Sequence, residues 1–87
     1  MTWGLEFSKA AAKDVKKLAA TGLKQKTQEL LDVLRNNPWQ NPPPYEKLIG
    51  ELEGAYSRRI NRQHRLVYRI NEDTRGIDIL RMWTHYE

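Results

Sequence analysis

The fifteen residues from Tyr56 to Ile70, Tyr-Ser-Arg-Arg-Ile-Asn-Arg-Gln-His-Arg-Leu-Val-Tyr-Arg-Ile, constrain this chain more than any other stretch. Two runs rich in β-branched and aromatic residues flank a polar bend, which is the pattern of a β-hairpin. Between Gly54 and Asn71 there are five arginines and no acidic residue. Arginine holds its charge at every physiological pH and grips phosphate through paired hydrogen bonds. A strand hairpin this dense in guanidinium groups suits a nucleic-acid backbone. It also suits a plainer role, the solvated basic face of an ordinary sheet.

Eighty-seven residues make one domain with a thin core. Such a domain has little room for a buried cofactor, so any chemistry belongs in an open groove. The chain has no cysteine, which removes disulfides, thiolate nucleophiles and cysteine-ligated metals and fits a reducing compartment. Lys9, Lys13, Asp14, Lys16 and Lys17 break up the first segment, so it does not read as a signal peptide. No stretch approaches the length of a membrane span. The net charge of +4 is unevenly laid out. All seven lysines lie at or before Lys47, and seven of the eight arginines lie at or after Arg58. That asymmetry predicts lysine-bearing helices, an arginine-bearing sheet and a polyanionic partner, either nucleic acid or an acidic protein.

Trp3, Leu5 and Phe7 alternate and predict a short strand over residues 1–7 with one buried face. Ser8 stands where a helix cap belongs. Ala11, Val15, Leu18 and Ala19 form the expected inner stripe of a first helix, which Thr21-Gly22 closes. Leu23, Thr27, Leu30, Leu31 and Leu34 do the same for a second helix, ended by Asn36-Asn37-Pro38. The short link predicts an antiparallel helical hairpin whose apolar stripes need a sheet. All four prolines fall between Pro38 and Pro44, a stiff loop leading into a strand over residues 45–49. After a polar turn at residues 50–54 comes the arginine hairpin. A second turn at residues 72–76 leads to a last strand, Ile77 to Met82, and a tail from Trp83 to Glu87. The expected fold class is α+β: a small curved antiparallel sheet with an N-terminal strand and a two-helix hairpin packed on one face.

Gly-rich phosphate loops and nucleophile elbows are absent. Neither His64 nor His85 has a close carboxylate pair in sequence, so no metal site is expected. What remains is a set of carboxylate, arginine, histidine and tyrosine, which suffices for cleaving RNA. The 2′-hydroxyl is the internal nucleophile. The protein needs only to take a proton from it, steady the phosphorane and protonate the leaving 5′-oxygen. Arg59 and Arg65 serve together only if they project from one sheet face, and a register shifted by one residue separates them. Arg58, Arg62 and Arg69 read as surface charge or substrate steering. Glu46, between a rigid loop and a strand, is by itself an ordinary exposed glutamate. His64, in the bend, reads as structural.

Gly54, Ser57-Arg58-Arg59-Ile60, His64-Arg65-Leu66-Val67-Tyr68 and His85-Tyr86, with Glu46 upstream, resemble the YoeB/Txe family of bacterial toxins within the larger RelE/ParE group. The likeness is strong over residues 38–86 and rests mainly on helical pattern before that. It implies a RelE-like fold and a metal-free, cofactor-free endoribonuclease that cleaves messenger RNA in the ribosomal A site and inhibits translation. It implies Glu46 as general base, Arg65 as stabiliser of the transition-state phosphate, His85 as general acid and Tyr86 as orienting group. The base and acid labels are exchangeable. Arg59, Arg58 and Lys47 are implied RNA contacts.

The implied partners are a YefM/Axe-like antitoxin, the ribosome and its message, and operator DNA through the antitoxin. A homodimer is a further possibility the resemblance raises. The implied setting is the bacterial cytoplasm, away from membranes. Two departures remove positive charge near Glu46: Pro43-Pro44-Tyr45 replaces a Gly-Lys-Pro segment, and Ile49 stands where a lysine is common. They keep open a catalytically impaired antitoxin-binding domain. A gyrase inhibitor like the ParE toxins is the other alternative, and the Glu46, His85 and Tyr86 set argues against it.

Overall fold

The computed structural model describes residues 2–42, 44–62 and 64–84, and only the backbone of residues 51, 83 and 84. Among the described residues the order is β1 (Gly4–Phe7), α1 (Lys9–Ala20), α2 (Lys24–Asn36), β2 (Tyr45–Lys47), a 3-10 turn (Gly50–Leu52), β3 (Ala55–Arg59), β4 (Arg65–Asn71) and β5 (Gly76–Thr84). The strands form one sheet in the order β1-β5-β4-β3-β2.

Each helix begins and ends for a local reason. The Ser8 hydroxyl accepts from the Ala11 amide at 3.0 Å, the expected cap. It also donates to the Leu80 carbonyl at 2.8 Å, which ties the start of α1 to β5. Gly22, at φ +79°, takes the left-handed turn that ends α1. The Leu23 amide then bonds back to the Leu18 carbonyl at 3.0 Å. Buried Thr27 spends its hydroxyl on the Leu23 carbonyl, 2.8 Å away, so it enters the core satisfied.

The strands β2 to β5 run as the expected antiparallel meander. The sheet is not antiparallel throughout, because β1 pairs with β5 in parallel, Leu5 opposite Ile77. A parallel pair needs a long crossover rather than a tight turn. The chain between β1 and β5 is nearly the whole domain, so no local signal announces the pairing. β5 also runs to Thr84, two residues past the expected end, and β2 stops at Lys47 rather than residue 49.

One face of the sheet meets the helices. Leu66, Tyr68, Ile77, Ile79 and Met82 pack there against Ala11, Leu18, Leu30, Leu31 and Leu34. The inner stripe of α1 differs from expectation: Val15 and Ala19 are exposed, and Asp14 is buried between Ala11 and Leu18. The spacing 11, 14, 18 is itself helical, and Asp14 is paid for by partners on β5. Its carboxylate accepts from Arg81 Nε and from the Met82 amide, each at 3.0 Å. On the other face a smaller cluster of Leu48, Ala55 and Val67, with Leu52 and Leu80 beside it, backs the open side of β3 and β4. The 3-10 turn supplies Leu52 to it, and Gly54 at φ +90° lets the chain double back into β3.

Candidate functional site

The register of β3 on β4 decides what the open face presents. Arg59 stands directly opposite Arg65, and Ser57 opposite Val67. On the next strand Glu46 is opposite Ser57. Side chains alternate along a strand, so Glu46, Ser57, Arg59 and Arg65 share the face away from the helices. Arg65 Nη1 donates to Glu46 Oε2 at 3.1 Å. The arginine is the more enclosed partner, at 18% side-chain exposure against 67% for the glutamate. A hollow of about 300 Å³ lies over them, lined by Pro44, Glu46, Ser57, Arg59 and Arg65. Among the described residues Arg59 makes no hydrogen bond or ion pair, so its guanidinium is available to an anion.

The same alternation sends two expected RNA contacts elsewhere. Arg58 is 1% exposed, on the helix side. Its Nε donates to the Tyr68 hydroxyl at 3.0 Å, and its Nη2 donates to the carbonyls of Pro38 at 3.0 Å and Gln40 at 2.8 Å. A residue so placed cannot contact an RNA backbone, and that expectation is corrected. Burial pushes the Tyr68 phenol above its ordinary range, and the neighbouring Arg58 charge opposes the rise. Lys47 is exposed and opposite Tyr56, on the other side of β2 from Glu46, so it does not line the hollow. His64 is buried in the bend, where its amide donates to Asn61 Oδ1 at 2.7 Å and its carbonyl accepts from Ile60 at 2.8 Å. That is the structural part expected of it.

His85 and Tyr86 lie outside the described residues. The last described residue, Thr84, is the register partner of Arg65 on β5. Among the described residues no group of three or more His, Cys, Asp or Glu side chains comes together as a metal site.

The model of a family described as the YoeB-like toxin of bacterial type II toxin–antitoxin systems matches residues 7–86. This chain belongs to the YoeB toxin family. The family match takes in the hollow and the segment that follows β5. The protein named Toxin YoeB from Mycobacterium bovis is 39% identical over 57 residues, 66% of this chain. The chain spans 65% of that relative's length in the match. Toxin YoeB from Escherichia coli K12 is 38% identical over 50 residues, covering 58% of this chain and 60% of the relative.

Among solved structures, the YoeB–YefM complex from Staphylococcus aureus superposes with a TM-score of 0.79 at 35% identity, over 99% of this chain and 100% of the other. A YoeB/ParE toxin from Agrobacterium tumefaciens gives a TM-score of 0.86 at 25% identity, over 95% of this chain and 99% of the other. The YoeB-family fold therefore spans the whole described domain.

Two features of the site escaped the sequence. Ser57 and Pro44 line the hollow but carry no chemical signature. Arg58 differs from Arg59 only in parity, and parity becomes legible only once one strand residue is known to face inward.

Proposed function

We propose that this YoeB-family chain is the toxin of a type II toxin–antitoxin pair and cleaves messenger RNA on the ribosome. The observation that carries the reading is the 3.1 Å contact between Glu46 and Arg65, with Arg59 opposite, on one open face. A phosphodiester entering the hollow meets two guanidinium groups within one cross-strand pair. Bidentate charge-assisted hydrogen bonds from them hold the non-bridging oxygens and stabilise the extra charge of the phosphorane. The phosphate competes with Glu46 for Arg65 and releases the carboxylate toward the adjacent 2′-hydroxyl.

Glu46 then takes the 2′ proton, and the 2′-oxygen attacks phosphorus. The 5′-oxygen leaves with a proton from His85, so a 2′,3′-cyclic phosphate and a 5′-hydroxyl result. Tyr86 orients the phosphate or the imidazole. Both residues follow Thr84 in the sequence, and the Thr84 backbone pairs with Arg65. The reverse assignment of acid and base preserves the same proton balance. The 2′-hydroxyl supplies the nucleophile, so the reaction as proposed draws on no cofactor.

The partner proposed to silence the site is an antitoxin like YefM, which the Staphylococcus aureus toxin binds in its solved complex. An acidic, disordered segment folding onto the arginine face competes with RNA for the same guanidinium groups. Operator DNA is engaged through that antitoxin. A YoeB dimer from Staphylococcus aureus makes a homodimer a second proposed assembly. The proposed setting is the bacterial cytoplasm, where ribosomes and messages are found.

Purified ribosomes programmed with a defined message test the reading. Wild type is expected to cut within codons at the A site. Glu46→Gln and Arg65→Ala are expected to lower the single-turnover rate by about 10²- to 10⁴-fold. Intact messages with the wild type refute it, and inhibition of DNA gyrase in their place supports the ParE-like alternative. Tight antitoxin binding without either activity supports the impaired domain.

A further inference from the structure

We propose that Arg58 is a positioning residue for Glu46, and that its guanidinium fixes the loop and strand carrying the carboxylate. The proposal rests on the role given to Glu46 above. β2 has three residues and sits at the sheet edge, with β3 as its one strand neighbour. An edge strand this short is a poor platform for a group that must be placed within a fraction of an ångström.

Arg58 makes up the deficit. It is the register partner of Tyr45, the residue before Glu46, and its guanidinium carbon lies 4.9 Å from the centre of the Tyr45 ring. Its Nη2 donates to two carbonyls of the preceding loop, Pro38 and Gln40, and its Nε donates to Tyr68 in the core. One planar fork thus joins β4, the loop at two points and the ring next to Glu46. Its full burial keeps water from competing for those bonds. Lysine cannot copy this, since an ammonium is a point charge without a flat face or a fixed fork.

The clamp and the hollow lie on opposite faces of the same strands. Arg58 therefore acts on the reaction through the backbone of β2 and β3 and not by contact. Its neighbour Arg59 faces the hollow directly. The arginine pair divides the work, one member holding the frame and the other meeting the phosphate.

Amide hydrogen exchange and single-turnover cleavage on programmed ribosomes, measured for wild type, Arg58→Lys and Tyr68→Phe, test the proposal. In Arg58→Lys, exchange at Gln40 and Leu48 is expected to accelerate at least about tenfold, with β4 and β5 amides little changed. The cleavage rate constant is expected to fall about tenfold to a hundredfold, while the ribosome concentration at half-saturation moves less than about twofold. Tyr68→Phe, which keeps the core shape and removes one anchor, is expected to show the same split at smaller size. If Arg58→Lys does not fold, Tyr68→Phe alone decides. Equal acceleration across the sheet, local acceleration with an unchanged rate constant, or no change in exchange overturns the proposal. If wild type itself leaves messages intact, the nuclease reading fails, and the exchange data still report whether Arg58 holds the segment.

Discussion

Arg59 and Arg65 face each other across β3 and β4, an arrangement that works against the sheet. Like charges directly opposite cost roughly 0.2–1 kcal/mol, and here Glu46 relieves only Arg65. A functional site often carries such a local penalty. Arg59→Gln is therefore expected to raise stability by up to about 1 kcal/mol in urea denaturation. The same substitution is expected to lower cleavage at least about tenfold, through loss of a phosphate contact. A variant that loses stability in urea contradicts this account of Arg59. Which arginine faces the hollow was not legible in the residues alone. The family resemblance named Glu46, Arg65 and Arg59 as candidates, but only the pairing of Arg59 with Arg65 places the guanidinium groups on one face. A one-residue slip would have exchanged Arg58 for Arg59.

At the scale of elements, β5 does more than add a strand. Val67 pairs with Arg81 while Tyr68 pairs with Ile79, and Arg65 pairs with Thr84, so β5 carries extra residues at two steps. Such bulges bend a strand and raise its twist. Asp14 on α1 braces this irregular stretch by accepting from Arg81 and from the buried Met82 amide. Asp14→Ala is expected to cost about 1–3 kcal/mol, because the Met82 amide is left buried without that acceptor. Chemical denaturation checks it, and a change under about 0.5 kcal/mol contradicts the bracing role. The helices and the meander were legible because capping, helical spacing and turn residues are local signals. The Ser8 cap and the stripe of α2 follow expectation. Asp14 did not read as core, since a charged residue on an inner face makes sense only once its β5 partners are known.

For the molecule as a whole, charge and topology point to one end of the open face. Arg59, Arg62 and Arg65 gather where the β3–β4 bend and the hollow lie. Farther along, Arg69 is opposite Asp78, and Asp78 is opposite Glu6 at the β1 edge. A polyanion is thus drawn toward the hollow and turned away from the β1 side. Binding to ribosomes is expected to weaken about tenfold or more as salt rises from about 50 to about 200 mM. Affinity measured across that range checks it, and a flat response contradicts electrostatic capture. The sequence showed the arginine density but overstated it, because buried Arg58 contributes to the frame rather than to the outer surface. The parallel β1–β5 pair was hidden for a related reason, since its partners are joined by almost the full length of the domain.

The central claim is that the hollow turns a 2′-hydroxyl into a nucleophile against its own phosphodiester. The most direct measurement gives programmed ribosomes a message with a single 2′-deoxy nucleotide immediately 5′ of the scissile phosphate. Wild-type protein is expected to leave that bond intact and to cut the all-ribose message to a 2′,3′-cyclic phosphate and a 5′-hydroxyl. Cleavage of the 2′-deoxy bond at an undiminished rate contradicts the mechanism.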